Sequence, residues 1–472
     1  MNELPLLNGL TEQKPRQIAA RVLQRRNEGG DFVEDLLDSA FARSHLSAAD
    51  RGLCQELVYG VARWQSTLDW LIARKTPGRT QKAMLQTLLR LGLYQIFWLD
   101  RIPNHAAVNE TVEQAKQAGF GPQSGFVNAI LRGYLREFDA TKTLLAELKT
   151  SQPALGCSHP EWLVARWQKR WGTEKTAQLM EWNNTPPKTF ARINTLKFLK
   201  TDPPSPKPST PQPSTLDPLA RRSEAKEALL SPGDLLTRWR DENVEYDFVR
   251  RDWFDENLVF ELKSHPPFAK LGSFQDGYFY VQDPSTLLAV HALAPQPGET
   301  ILDLCAAPGG KLTYIAQLMA NQGRLIAHDT SPDRLKLIEE NCSRLGVTIA
   351  QTALPSTPDP RPSSFDRVLI DAPCSNTGVM RRRVDLRWRI TPEEIDRLRA
   401  TQLDLLHQAA TRLKPRGTLV YSTCSLEPEE NELVVHEFLR ADSHFKLETQ
   451  RELVPFTDAT DGAYIARLTK GV

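Results

Sequence analysis

The last third of this sequence leaves the least freedom. After Pro297 the chain reads ETILDL, KLTYIAQLMANQ, RLIAHD, SPDRLKLIEENCSRLG, FDRVLIDAPC, EEIDRLRATQLDLLHQAATRLK and GTLVYSTCSL. Short apolar runs alternate with longer stretches of helical spacing, which predicts a parallel sheet covered by helices on both faces, an α/β domain over 286–472. Ser331 followed by Asp333, and Thr391 with Glu394, read as helix N-caps and fix two helix starts. Open α/β sheets bind ligands at the carboxyl ends of their strands. Asp303, Asp329, Asp371 and Cys424, each at an expected strand end, should therefore converge.

The turn after the first of these strands is Cys305-Ala306-Ala307-Pro308-Gly309-Gly310-Lys311. Small residues there let a ligand approach the backbone, and the N–H groups of the following helix face an anion. The turn is not G-x-G-x-x-G, so a nucleoside bearing one carboxylate, as in S-adenosyl-L-methionine, suits it better than a pyrophosphate. Asp329, at the next strand end, is placed to accept from ribose hydroxyls. Lys311 stands in a helix's first turn, where a cation opposes the macrodipole by about 0.3–1 kcal/mol. It is either matched by a carboxylate or substrate, or simply solvated. Cys305 also reads as a small hydrophobe, and Cys342, inside a helix, as nothing more.

Upstream the pattern differs. From Lys14 to Glu137 apolar residues keep helical spacing, as in Leu53, Leu57, Val61, Trp64, Leu68 and Leu71, and in Val33, Leu36, Leu37, Ala40 and Phe41. Pro77, Pro103 and Pro122 fall between helical stretches, so 1–145 is expected to be an all-α domain. In 150–285, Trp162, Leu163, Trp167 and Trp171 suit a helix and Thr189 to Leu196 a strand, giving a small α/β module. Prolines crowd the segment from Pro203 to Pro218, and about 201–220 is expected to be a disordered or polyproline II insertion. A tolerated surface loop is favoured there over a PxxP ligand.

At about 150 residues per domain, 472 residues suit three domains. Hydrophobic residues at 40% and charged ones at 25% exclude wholesale disorder and a disulfide-dense scaffold. No stretch approaches the roughly eighteen apolar residues that cross a bilayer, and the N-terminus has no signal-peptide pattern, so a soluble cytoplasmic chain is expected, with no membrane partner. The six cysteines form no C-x-x-C pair, which signals neither zinc nor disulfides, and no metal is expected. Net charge is only +1, so nucleic-acid binding would fall to local patches. Arg381-Arg382-Arg383 and the following Asp385-Leu386-Arg387-Trp388 form such a patch, and RNA contact is favoured there over a solvated loop.

The sharpest signal is Asp371-Ala372-Pro373-Cys374-Ser375 on one strand end and Ser422-Thr423-Cys424-Ser425 on another, two thiols beside a carboxylate. Here the sequence resembles the bacterial RNA (cytosine-C5) methyltransferases of the Sun or RsmB type. DLCAAPGGK, DAPCSNTGVMRR, DLRW, STCSLEPEEN and DGAYIARL look like that family's successive motifs. LVYGVARW, IPNHAAVNETVEQAK and FVNAILR look like its NusB-type domain. The resemblance implies a multidomain chain: an all-α NusB-like domain, a small α/β RNA-binding module, and a Rossmann-like class I methyltransferase domain. It further implies S-adenosyl-L-methionine as cofactor and methylation of a cytosine in 16S ribosomal RNA, the chain acting as a monomer.

By match to the motifs, Cys305 to Lys311 form the cofactor loop, Asp329 takes the ribose, Asp371 lies beside cofactor and base, Cys424 is the nucleophile and Cys374 serves release, with Lys311 in the catalytic group. The chemistry explains why two thiols and an acid are wanted. Cytosine C5 becomes nucleophilic once a thiolate adds at C6, and the charge driven onto N3 needs a proton or hydrogen bond, a task for Asp371 if its surroundings raise its pKa. The chain departs from the family near the adenine, where Ala350-Gln351-Thr352-Ala353 lacks the usual Asp. Restoring it as Thr352→Asp is expected to leave affinity equal or improved. Competing readings are a noncatalytic RNA-binding or antitermination-like factor, a C5-methyltransferase acting on tRNA or DNA, and a DNA-enzyme-like mechanism with Cys374 as the attacking thiol.

Overall fold

The computed structural model describes residues 14–198, 231–354 and 364–472. The Pro-rich insertion expected at 201–220 lies outside them. Two compact units are present: 1–186 with Val379–Ile390, and Pro187–Gly378 with Thr391–Val472.

The first unit is helical. Pro15–Glu28, Val33–Ala42, Ala48–Arg63, Gln65–Lys75, Ala83–Trp98, Asn104–Ala115 and Ser124–Arg136 are followed by Phe138–Ser151 and Glu161–Asn184. Leu57, Val61, Leu68 and Leu71 are buried, as their spacing predicts, but this stripe runs through two helices that meet at Trp64. Ser47 caps the first of them by accepting from the Asp50 N–H.

Into this unit packs Val379–Ile390, the segment carrying the three consecutive arginines. The expectation of an RNA-facing patch is corrected: Arg381, Asp385 and Arg387 are buried, and Arg383 alone of the arginine run is exposed. Arg381 lies 4.0 Å over the Trp182 ring. Arg387 donates to Ser158 O (3.1 Å), Asn184 Oδ1 (2.9 Å) and Asn183 O (3.1 Å). Asp385 accepts from the Val33 N–H at 3.2 Å and pairs with Arg389 at 3.4 Å. These side chains are consumed by packing, because buried charged groups require partners and this segment finds them on the helices.

The second unit holds two sheets. The four-stranded sheet comprises β1 (Thr189–Ile193), β2 (Glu245–Val249), β3 (Val259–Ser264) and β4 (Phe279–Val281), ordered β2-β3-β1-β4 and antiparallel throughout. The seven-stranded sheet comprises β5 (Thr300–Asp303), β6 (Arg324–His328), β7 (Ala350–Ala353), β8 (Phe365–Asp371), β9 (Leu413–Thr423), β10 (Phe445–Leu453) and β11 (Ala463–Lys470). Its order is β10-β11-β9-β8-β5-β6-β7. Strand alternation explains its two covered faces. Ile301, Leu325, Leu369 and Val420 enter one core, while Leu302, Ile326, Val368 and Leu419, one residue away on each strand, enter the other. Ser331 and Thr391 cap their helices as expected, accepting from the N–H groups of Arg334 and Glu394.

The strands read from the sequence pair in parallel as expected, and two strands beyond that reading are added antiparallel. β5 to β9 pair in parallel, but β11 runs antiparallel to both β9 and β10. The connection from β10 to β11 carries only a four-residue helix, Pro455–Asp458, too short for the crossover a parallel neighbour requires.

Candidate active site

Four strand ends build the site. Asp303 ends β5, Asp329 follows β6, Asp371 ends β8 and Cys424 follows β9. The expected convergence holds: the Asp303 carboxyl feels Asp371, Lys311 and Asp329, and the Lys311 ammonium feels Cys424.

Above β5 the chain turns through Cys305 to Gly309 into the helix Gly310–Leu318. The turn is pinned by Ala306 N–H on His328 O (2.9 Å), Gly309 N–H on Ala306 O (2.8 Å) and Ala307 N–H on Asp329 Oδ2 (3.3 Å). Gly309 adopts φ 101°, a left-handed conformation that glycine reaches without strain. A Cβ at Gly310 would stand 3.0 Å from both Gln282 and Tyr280, so bulk is excluded there. Sequence reasoning missed Arg192. From β1 it donates to Gly310 O at 2.9 Å and Thr313 Oγ1 at 3.0 Å, fixing this helix start, and burial lowers its pKa to about 10. No motif surrounds Arg192, so no sequence signal could have found it.

Of the two readings left open for Lys311, the carboxylate partner is the one present: its ammonium lies 2.6 Å from Asp371 Oδ2. Burial works against the charged lysine, yet Asp371 outweighs it and holds the pKa above the ordinary value. Ser422 donates to the other Asp371 oxygen at 3.0 Å. The surroundings of Asp371 are an ion pair and a hydroxyl rather than an apolar pocket. The group pushed upward is Asp303, by burial first and then by Asp371, to about 7; among the described residues its carboxyl oxygens make no well-aligned hydrogen bond, and the Cys305 N–H nearby only weakly opposes the rise. Asp329 is also buried, but it accepts from Ala307 and from the Ser331 N–H (3.2 Å) and pairs with Arg334 at 3.4 Å.

The sulfurs of Cys374 and Cys424 stand 3.4 Å apart. Cys374 is buried and Cys424 partly exposed. The contact with Cys424, then burial, pushes the Cys374 thiol well above its usual range. Asn376, in left-handed backbone at φ 57°, bridges the pair: its amide donates to Cys374 O at 2.7 Å and its oxygen accepts from the Cys424 thiol at 2.9 Å. Gly378 and Gly462 bring the DGAY segment against this loop, because Gly462 N–H donates to Gly378 O at 2.9 Å and a Cβ on either residue would intrude on the other. Cys305 is not one of the pair, and burial with Asp303 nearby raises its pKa strongly. At the far edge, Thr352 on β7 donates to Glu339 at 2.6 Å, an acidic neighbour that the sequence reading did not find.

Comparison with known proteins agrees with this geometry. The profile described as 16S rRNA methyltransferase RsmB/F matches residues 290–469, that of the NusB family 13–136, and that of a Methyltr_RsmF/B-like, ferredoxin-like domain 159–202. The probable ribosomal RNA small subunit methyltransferase B of Bacillus subtilis is 34% identical over 485 residues, covering 96% of this chain and 98% of the relative. The ribosomal RNA small subunit methyltransferase B of Escherichia coli O157:H7 is 34% identical over 473 residues, with the same coverage of each chain, 96% and 98%. The chain belongs to the RsmB/F family. A crystal structure of a methyltransferase homolog protein from Pyrococcus horikoshii, 29% identical, superposes with a TM-score of 0.53 over 67% of this chain and 97% of that one. S-adenosylmethionine is the cofactor. The residues fit it: Asp329 keeps acceptor capacity, and Asp303 presents a buried carboxyl with no well-aligned hydrogen bond among the described residues.

Proposed function

We propose that this RsmB/F protein methylates C5 of a cytosine in 16S ribosomal RNA through a covalent bond from Cys424 to C6. The observation that carries this reading is the pair of sulfurs 3.4 Å apart beside the Lys311–Asp371 pair. Cys424, the more exposed thiol, attacks, and Lys311 supplies positive charge on its side. Bonding of Sγ to C6 breaks the C5–C6 π bond and drives charge toward N3, where the Lys311–Asp371 pair supplies a proton or hydrogen bond. Bound S-adenosylmethionine supplies the electrophilic methyl group that the activated C5 takes. Once the C5 proton is lost to a base, the double bond re-forms and expels the Cys424 sulfur, with Cys374 serving this release. Asp329 holds the ribose, and Cys305, Ala306, Ala307, Pro308, Gly309, Gly310 and Lys311 wrap the cofactor. The domains are assigned to 1–145, 150–285 and 286–472, the first two binding RNA.

Addition and release fail differently, which gives the test. Cys424→Ala is expected to be inactive and free of RNA adduct. Cys374→Ala is expected to accumulate a protein–RNA species that survives denaturing electrophoresis when S-adenosylmethionine is present, and the double variant to lose it. Adduct in Cys424→Ala and none in Cys374→Ala would reverse the two roles. No adduct in any variant, with methylation retained in Cys424→Ala, would end the covalent reading.

A further inference from the structure

Behind the two sulfurs lies a buried carboxylate that the reaction does not touch. Glu430 stands in the turn Pro428–Glu430, fully buried, and one side chain gathers the residues that follow both cysteines. Its Oε1 accepts from the Ser375 N–H at 2.8 Å and from Gln402 at 3.2 Å. Its Oε2 accepts from the hydroxyls of Ser425, at 2.5 Å, and Ser375. The two hydroxyl oxygens are themselves 3.0 Å apart. Gln402 also donates to Pro373 O at 2.9 Å, on the other side of Cys374. Neighbouring Asn431 donates to Ser425 O at 3.0 Å and accepts from Thr423 at 2.6 Å, so both flanks of Cys424 are tied to the same turn.

We propose that Glu430 is a positioning residue that clasps the Cys374 and Cys424 loops together and so sets the separation of their sulfurs. Resting on the reading that both thiols act on one base, it makes their spacing a property of a third element rather than of either strand. A buried carboxylate satisfied by four donors is rigid, since moving either loop would strand donors away from water. Glutamine in its place keeps one acceptor for Ser375 N–H and Gln402 and can donate to the hydroxyl oxygens, whereas alanine leaves all of them unmet.

The test uses the full chain and two readouts. Phenylarsine oxide condenses with two nearby thiols, releasing water and forming two As–S bonds, and so reports sulfur spacing without any methylation. The wild type is expected to bind one arsenical, reversed by a dithiol, and Cys374→Ala to lose it. Glu430→Ala should lose this binding and about 100-fold in kcat with KM for RNA and S-adenosylmethionine little changed, as misplacement by about an ångström does. Glu430→Gln should restore both in large part. If Glu430→Ala fails to fold, judged by S-adenosylmethionine binding, Ser375→Ala with Ser425→Ala removes the hydroxyls alone and is read in the same way. Arsenical binding as in wild type by Glu430→Ala, or by the double serine variant where that stands in, overturns the clasp whatever the kcat. Loss of arsenical binding together with absence of any RNA adduct in Cys374→Ala would instead uphold the clasp and sink the covalent reading.

Discussion

Arg387 in the helical unit and Asp303 in the sheet unit are both charged side chains taken out of water, and their surroundings are opposite. The two terminal nitrogens of Arg387 meet three oxygens at 2.9–3.1 Å. Among the described residues neither oxygen of Asp303 makes a well-aligned hydrogen bond, the Cys305 N–H being only a weak neighbour. Burial first, then a like charge nearby (Arg63 for the arginine, Asp371 for the aspartate), lowers the arginine pKa to about 9 and raises the aspartate pKa to about 7. A charge supplied with partners by its own chain is a packing device. One left without them, at strand ends beside Lys311 and Asp371, has a place for a ligand. Residue type alone would have ranked them the other way, with the arginine as the contact for RNA.

The comparison breaks most visibly at Arg387. Arg387→Met keeps bulk but deprives Ser158 O, Asn183 O and Asn184 Oδ1 of their donor, each worth about 1–3 kcal/mol when buried and unmet. A stability loss of at least about 3 kcal/mol in urea unfolding is expected. Exposed Arg383→Ala should cost under about 0.5 kcal/mol. Were Arg387 an RNA contact, Arg387→Met would leave the urea midpoint in place and reduce the salt dependence of RNA binding instead.

Asp303 gives the next effect, and its sign differs from that of most carboxylates. With the folded-state pKa raised to about 7, the folded protein holds a proton that the unfolded chain releases near pH 4. Its contribution to stability is present at low pH and is lost as pH rises toward and through 7. The gap of roughly three pH units corresponds to about 4 kcal/mol. Asp303→Asn should therefore flatten this part of the pH–stability curve and make the cofactor-free protein more stable than wild type at pH 8, read by thermal unfolding across pH. A variant less stable than wild type at pH 8 would mean that the charged carboxylate is paired after all.

How far the sequence carries these arguments depends on the range of the interaction. The strand and helix alternation, the caps at Ser331 and Thr391 and the meeting of four strand ends rest on local periodicity and on one topological rule, and they appear in the structure where expected. The macrodipole left Lys311 open between a compensating partner and a solvated side chain, and Asp371 decides for the partner. What stayed illegible depends on partners far along the chain. The acceptors of Arg387 come from Ser158, Asn183 and Asn184, and nothing near DLRW announces them. The clasp at Glu430 lay in plain view within STCSLEPEEN. Its role emerges only when Ser375 and Ser425 are seen on one carboxylate. The antiparallel turn of β11 follows from a connection whose length was readable but whose strand, Phe445–Leu453, has polar residues at most positions and no apolar signal.

The smallest effect concerns Thr352. From family resemblance alone, Thr352→Asp is expected to match or improve cofactor affinity by restoring an acid near the adenine. The structure places the Thr352 hydroxyl 2.6 Å from Glu339, so a carboxylate at 352 would meet a carboxylate already there. Like charges at such a distance on an exposed surface cost about 0.3–1 kcal/mol, and the cost fades with salt. Thr352→Asp should then bind S-adenosylmethionine up to about fivefold more weakly at low salt, approach wild type at high salt, and reach or pass it when combined with Glu339→Gln. Calorimetry at two salt concentrations separates the readings, since tighter binding by Thr352→Asp at low salt with Glu339 intact would restore the family expectation and make the Thr352–Glu339 contact incidental to the cofactor.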